Sequence, residues 1–174
     1  MSEIRIRALA PSDVEFAVEI ALAAWEPIYA YYRRIMGDEL FLAIHPDWRQ
    51  EKARQVRHGC APADARVSAA AIVAVAELPP NGDQPARVVG FVTAHVRASL
   101  GIGEIGNNAV HPDWQGQGIA PRLYQYAFDR LRERGMRYVK VITGGDPSHA
   151  PARRAYQKAG FEIALPHVEY YREL

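Results

Sequence analysis

The sequence predicts a mixed α/β fold in one domain, and three observations lead there. A length of 174 residues suits one compact core and leaves little room for a second. Hydrophobic residues at 49% and charged residues at 24% are ordinary for a soluble globular protein, which excludes wholesale disorder, collagen-like repeats and a coiled coil. Along the chain, stretches of period-two alternation give way several times to helical spacing, so strands and helices are interleaved.

Residues 3–8 alternate, with Ile4 and Ile6 between Glu3, Arg5 and Arg7, which predicts a half-buried strand. Pro11, Ser12 and Asp13 offer a helix start. Val14, Ala17, Val18, Ala21 and Leu22 then recur at helical spacing, predicting a helix to about Trp25 that Pro27 interrupts. A second helical stretch covers 29–42 with a break near Gly37, and Asp47-Trp48-Arg49-Gln50 opens a third that runs through Arg57. Residues 67–78, rich in Ala, Val and Ile, read as a buried strand, 79–83 as a turn, and 87–96 as the antiparallel partner. A strand over 102–110 stops at Pro112. A helix over 118–134 comes next, with Ile119, Leu123, Tyr126, Ala127 and Leu131 on one face, ended by Gly135. Residues 138–143 form a strand, 148–159 a helix closed by Gly160, and 161–163 and 168–171 two final strands.

Lys and Arg number 21 against 20 for Asp and Glu, a net charge of +1 that offers no electrostatic footprint for nucleic acid or an anionic membrane. The longest run without a polar residue, 69–76, is far below the roughly 20 residues that cross a bilayer, and residues 1–13 lack the apolar segment of a secretory signal. A cytoplasmic location is expected, with neither membrane nor nucleic acid as a partner. Cys60 stands alone, which rules out an internal disulfide and a multi-thiolate metal site and leaves an idle buried thiol. Lysine occurs only at 52, 140 and 158, and with abundant Ala, Gly and Pro this points to a GC-rich bacterial genome.

Two patterns invite chemistry and are better read as structure. His45-Pro-Asp-Trp48 recurs as His111-Pro-Asp-Trp114, but with no further His at ligand spacing each reads as a capped helix start, and no metal is expected. Gly101, Gly103 and Gly106 match G-x-G-x-x-G, yet a strand ending comes where a dinucleotide site needs a helix, so the glycines mark a bend. Neither a nucleotide-binding G-x-x-x-x-G-K-[ST] loop nor a G-x-S-x-G elbow is present.

The informative stretch is Val110-His-Pro-Asp-Trp-Gln115-Gly-Gln-Gly118-Ile-Ala120, a strand, a short loop with two glycines, and a helix start. Free N–H groups at a helix N-terminus favour phosphate, and glycines let an anion approach the backbone closely; a tight turn with no ligand is the alternative. Gln115-Gly-Gln-Gly118-Ile-Ala120 resembles the Gln/Arg-x-x-Gly-x-Gly/Ala pyrophosphate loop of the GCN5-related N-acetyltransferase (GNAT) superfamily. Downstream, Ala152-Arg-Arg-Ala-Tyr156-Gln-Lys-Ala-Gly160-Phe161 is similar to the family's Ala-x-x-x-Tyr-x-x-x-Gly-Phe segment.

The resemblance implies a GNAT-like domain over 1–174, with about six to seven mostly antiparallel strands, about four flanking helices, and the cofactor region at about 102–161. It implies acetyl-CoA as co-substrate between splayed strands, paired to main-chain groups of Ala109 and Val110, with Gln115, Gly116, Gln117, Gly118, Ile119 and Ala120 holding the pyrophosphate. His149 stands where many members carry an asparagine that touches the cofactor, and an imidazole also donates or accepts a hydrogen bond. Acetyl transfer needs an unprotonated amine, a polarised carbonyl and a proton for the leaving thiolate. The resemblance assigns the first task to Glu104, the second to the Val110 N–H and the third to Tyr156. The expected activity is N-acetylation of a primary amine on a small molecule, peptide or protein, with a homodimer left open. A domain that binds acetyl-CoA without turnover is the rival reading. Trp25, Tyr29 and Tyr32, spaced i, i+4 and i+7, and Tyr170 and Tyr171 either line an acceptor pocket or pack in the core.

Overall fold

A computed structural model describes residues 4–61, 70–82 and 84–173. These form a five-stranded sheet in the order β1 (Arg5–Ala8), β2 (Ala71–Leu78), β3 (Arg87–Arg97), β4 (Ile102–Val110) and β5 (Tyr138–Val141). The first three pairings are antiparallel and β4–β5 is parallel. Helices α1 (Val14–Met36), α2 (Asp38–Ile44) and α3 (Trp48–Cys60) precede β2, α4 (Ile119–Glu133) joins β4 to β5, and α5 (Ala150–Lys158) comes after β5.

The alternation of strand side chains divides the interior into two cores. Ile72, Ala74 and Ala76 of β2, with Val92 and Ala94 of β3 and Ile105 and Val110 of β4, face Leu123, Tyr124, Ala127 and Leu131 of α4 and Tyr156 of α5. Val75 of β2 and Phe91 of β3 face the opposite layer, Ala17, Val18, Ile20 and Ala21 of α1 and Ala53, Val56 and Cys60 of α3. Arg7 ties β1 to the start of α1 and to β2. Its guanidinium bonds Asp13 before α1 and Glu77 on β2, and that contact holds the Asp13 carboxyl below its ordinary value despite burial.

Three expectations change. Pro27 lies inside α1, which continues to Met36. The ring removes one backbone bond and costs on the order of 3 kcal/mol, and packing on both sides offsets it: the apolar stripe before it, and beyond it Tyr29 stacked on Trp48 at 4.2 Å between ring centroids. The sheet has five described strands and not six or seven, because 161–163 and 168–171 run as irregular chain. Ile163, Leu165 and Tyr170 there are more than nine-tenths exposed. Alternation marks a segment that fits a pleated surface, but it does not supply a partner, and Pro166 between the two segments lacks a ladder donor. The buried strand begins at Ala71; 67–69 of its expected span lie outside the described residues.

Candidate active site

β4 and β5 run side by side only where Ile102, Gly103, Glu104 and Ile105 face Tyr138, Val139, Lys140 and Val141. β5 then ends, while β4 continues to Val110 with β3 on one side and no described strand on the other. This is the splayed opening. At its apex the register slips, so that Gly106 and Asn107 both stand opposite Thr93, a β-bulge. Glycine is needed there, since a Cβ at 106 would lie 2.7 Å from Thr93 Oγ1. The buried Thr93 hydroxyl donates to the Asn107 carbonyl at 3.1 Å, and Asn108 Nδ2 donates to the Gly106 carbonyl at 2.9 Å.

Beyond the bulge, His111 N–H donates to Val89 C=O at 2.9 Å. By antiparallel alternation the main-chain groups of His111 and Ala109 turn to β3, and those of Val110 and Asn108 turn to the opening. The Val110 carbonyl accepts from Gln115 Nε2 at 3.0 Å, and its N–H faces outward. Of the two residues expected to pair with a ligand through main chain, Val110 presents its groups to the opening and Ala109 commits its own to β3.

The strand leads through a single 3-10 turn, Pro112–Trp114, to the loop at Gln115. His111 starts that turn as an N-cap, its Nδ1 accepting from Asp113 N–H at 3.3 Å. Gly116 and Gly118 adopt φ of 77° and 74°, the left-handed region open to glycine. Gly118 is the N-cap of α4 and no side chain caps this helix; its first turn holds no acid and includes the exposed Arg122. The N–H groups of Ile119 and Ala120 are therefore left to an outside acceptor, with the positive end of the helix dipole behind them. These features fit a pyrophosphate.

Tyr156, on α5, is 7% exposed and comes to β4 from the α4–α5 face. Asn108 Nδ2 donates to its hydroxyl oxygen at 3.1 Å, and Asn108 Oδ1 accepts from Tyr124 Oη at 2.8 Å. Burial raises both phenols above their ordinary value, so both stay protonated at neutral pH. Asn108 is a residue that sequence reading missed; the available signal was a pair of amides, Asn107-Asn108, in a strand whose only other polar side chain is Glu104.

Glu104 lies on β4 in the stretch still paired to β5. Arg97 Nε donates to its Oε2 at 2.6 Å, and Lys140 Nζ stands 3.4 Å from its Oε1. His149 is the N-cap of α5, its Nδ1 2.7 Å from Asp146 Oδ2, so only Nε2 is left for another partner. Arg153 donates to the carbonyls of Gly144 and Asp146 at 2.6 Å each and fixes the same loop. The His149 ring lies 6.1 Å from that of Tyr32. Tyr32 and Tyr29 belong to a half-buried cluster with Phe41, His45 and Trp48, and Lys52 Nζ sits 4.5 Å from the Trp25 ring. Tyr170 is exposed, and Tyr171 bonds Glu169 at 2.8 Å.

Comparison with known proteins adds lineage to this geometry. Over 71 to 91 residues the chain is 35% identical to mycothiol acetyltransferases of Saccharomonospora viridis and Thermobifida fusca, matching 48% and 41% of this chain. It spans only 29% and 21% of the length of those proteins. Among solved structures, PaiA N-acetyltransferase from Thermoplasma acidophilum in complex with coenzyme A superposes with a TM-score of 0.63 at 18% identity, covering 93% of this chain and 91% of that one. An aminoglycoside acetyltransferase from an uncultured soil metagenomic sample, bound to sisomicin, gives 0.57 at 18% identity, covering 98% and 96%. At such identities the likeness is one of fold. The model of the GNAT acetyltransferase family matches residues 25–161, a span that holds the splayed strands, the glycine loop and α5 together, and the chain belongs to that family.

Proposed function

We propose that the chain is an acetyl-CoA-dependent N-acetyltransferase that acts on a primary amine of a small molecule, peptide or protein. One observation carries this reading: the free side of β4, with the Val110 N–H facing it, runs directly into an uncapped helix N-terminus built on two left-handed glycines. An extended chain ending in a pyrophosphate fits that sequence of donors, the chain paired to the strand edge and the anion at α4. Acetyl-CoA supplies an activated thioester. The Val110 N–H polarises its carbonyl, Tyr156 holds a proton ready for the sulfur, and His149 Nε2 is a further donor or acceptor at the far wall. Glu104, the carboxylate expected to take the amine proton, faces Arg97 and Lys140 with its two oxygens.

The test is calorimetry with acetyl-CoA, then thiol release in the presence of n-butylamine, glycinamide and sisomicin. Micromolar binding with amine-dependent thiol release is expected. The engagement of both Glu104 oxygens by Arg97 and Lys140 favours the second reading, a non-catalytic acetyl-CoA sensor; binding with no release for any amine would select it.

A further inference from the structure

The proposed reaction needs a group that takes a proton from the acceptor amine, so a role in that step rests on the acetyltransferase reading. Glu104 is poorly placed for the task. It stands before the opening, beside β5, with each oxygen facing a cation. Past the opening's apex the bulge turns two successive amides to opposite faces of the sheet. Asn108 reaches Tyr156 on one face; Asn107 reaches Lys52 of α3 on the other.

Lys52 is 7% exposed. Its Nζ lies 2.9 Å from Gln55 Oε1, 3.5 Å from Asn107 Oδ1 and 4.5 Å from the Trp25 ring centroid, and no carboxylate pairs with it among the described residues. Buried lysines are rare without a counter-ion. Most ionisable groups on the elements around it are engaged elsewhere, and Glu19 of α1 is exposed. On β3, Arg97 binds Glu104, and burial lowers the His95 imidazole, which also senses His58 of α3. On α1, Glu15 and Glu26 pair with Arg57 and Arg49, and Glu51 on α3 pairs with Arg54. Lys140 of β5 faces Glu104. Burial, unopposed by any nearby charge, brings the Lys52 amine down to about 8.

We propose that Lys52 is the first acceptor of the amine proton, with Asn107 as the positioning residue that holds its Nζ at the apex of the β4–β5 opening. Neutral Lys52 takes one proton from the ammonium form of the acceptor, freeing the lone pair that forms the C–N bond. As the C–S bond breaks, the Tyr156 hydroxyl proton passes to the sulfur, and Tyr156 regains one from the acylated nitrogen through solvent. Lys52 then releases its proton to water. Acid and base thus sit on opposite faces of one strand, each held by one member of the asparagine pair.

The test tracks Lys52 in two ways. With only three lysines in the chain, carbon-13 labelling at lysine Cε gives three resonances, assigned with Lys140→Arg and Lys158→Arg; that of Lys52 is expected to titrate near pH 8. In parallel, pH profiles of kcat/KM are measured for wild type, Lys52→Met, Lys52→Arg and Asn107→Ala with whichever of n-butylamine, glycinamide and sisomicin wild type acetylates. A fall of roughly 10²-fold at pH 8 in both lysine variants is expected, with loss of the limb near pH 8 and unchanged acetyl-CoA affinity. Asn107→Ala should keep the limb and lower kcat less. Wild-type turnover with kcat/KM and pH limb intact in Lys52→Met, or a Lys52 titration above pH 9.5, would overturn the proposal while leaving the acetyltransferase reading in place. Acetyl-CoA binding without turnover in wild type would remove the reaction, and this role with it.

Discussion

At the scale of single residues the site depends on polar side chains held where water is scarce. The Tyr156 hydroxyl is fixed by Asn108 and kept protonated by burial. Tyr156→Phe conserves the ring, so a leaving-group acid at this position means a kcat lower by about 10- to 10³-fold with acetyl-CoA affinity and Tm near the parent values. Normal turnover with a lowered Tm would assign Tyr156 to the core alone. Asn108→Ala strips the partner from two buried phenols at once and is expected to cost about 1–3 kcal/mol in denaturant unfolding. Lys52 acts on stability in the other direction. Its folded value near 8 lies below the ordinary 10.5, so the unfolded chain binds more protons between those limits. The penalty for burying the ammonium is full below pH 8 and disappears as pH rises towards 10.5. Relative to Lys52→Met, wild type should therefore gain stability across that window, by at most about 3 kcal/mol. A constant difference from pH 7 to 10.5 would show Lys52 to be charged and solvated. Tyr156 was legible because its helical segment has a recognisable spacing, whereas Asn108 offers only an amide pair and Lys52 no local pattern. What makes them matter is the bulge that brings α3 and α5 to opposite faces of one strand. Glu104 was legible as a residue, but its two cations depend on the register of β3, β4 and β5.

At the scale of elements, the start of α4 is the clearest case of sequence dictating geometry. Two glycines, three residues and one residue before the first apolar position of a helix, announce a left-handed entry, and Gly116 and Gly118 adopt it. Gly118→Asp places a carboxylate where an anion is expected and an L side chain at φ of 74°. Strain costs on the order of 1–2 kcal/mol, and charge repulsion with lost N–H contacts adds to the binding penalty. Gly118→Ala carries the strain without the charge, so the pair separates the two effects. Acetyl-CoA affinity should fall moderately in Gly118→Ala and by at least 10²-fold in Gly118→Asp. Equal affinities in folded wild type and Gly118→Asp would remove the loop from the site. Elsewhere local rules were overridden from outside the element. Pro27 does not end α1, because contacts of Tyr29 and Tyr32 with α2, α3 and the loop before α5 hold the helix beyond it. The C-terminal alternation makes no strands, because pairing needs a neighbour that the pattern itself cannot provide.

At the scale of the molecule, the sheet separates two cores, and at the opening β4, a strand inside the sheet, loses its neighbour on one side among the described residues. The order of elements was readable from periodicity, since the central strands β2 and β3 are apolar on both faces and α4 on one. The splay was not, because it arises from β5 stopping at Val141 while β4 runs on, a mismatch of lengths with no signature in either strand alone. Exposed backbone on β4 and free N–H groups at α4 both favour a ligand that joins them, so acetyl-CoA should couple to global stability. A ligand that binds only the folded chain at 100 times its Kd adds about 2.7 kcal/mol. For a domain of this size each kcal/mol raises Tm by roughly 2–4 °C, so a shift of about 5–10 °C is expected in differential scanning calorimetry. The same measurement on Gly118→Asp, at the concentration that saturates wild type, should show little or no shift. Desulfo-CoA, which keeps the pyrophosphate and loses the thiol, should retain most of it. A full shift in Gly118→Asp would mean that stabilisation arises at a surface other than the β4–α4 junction, and a shift absent from wild type would mean that the opening does not hold this ligand.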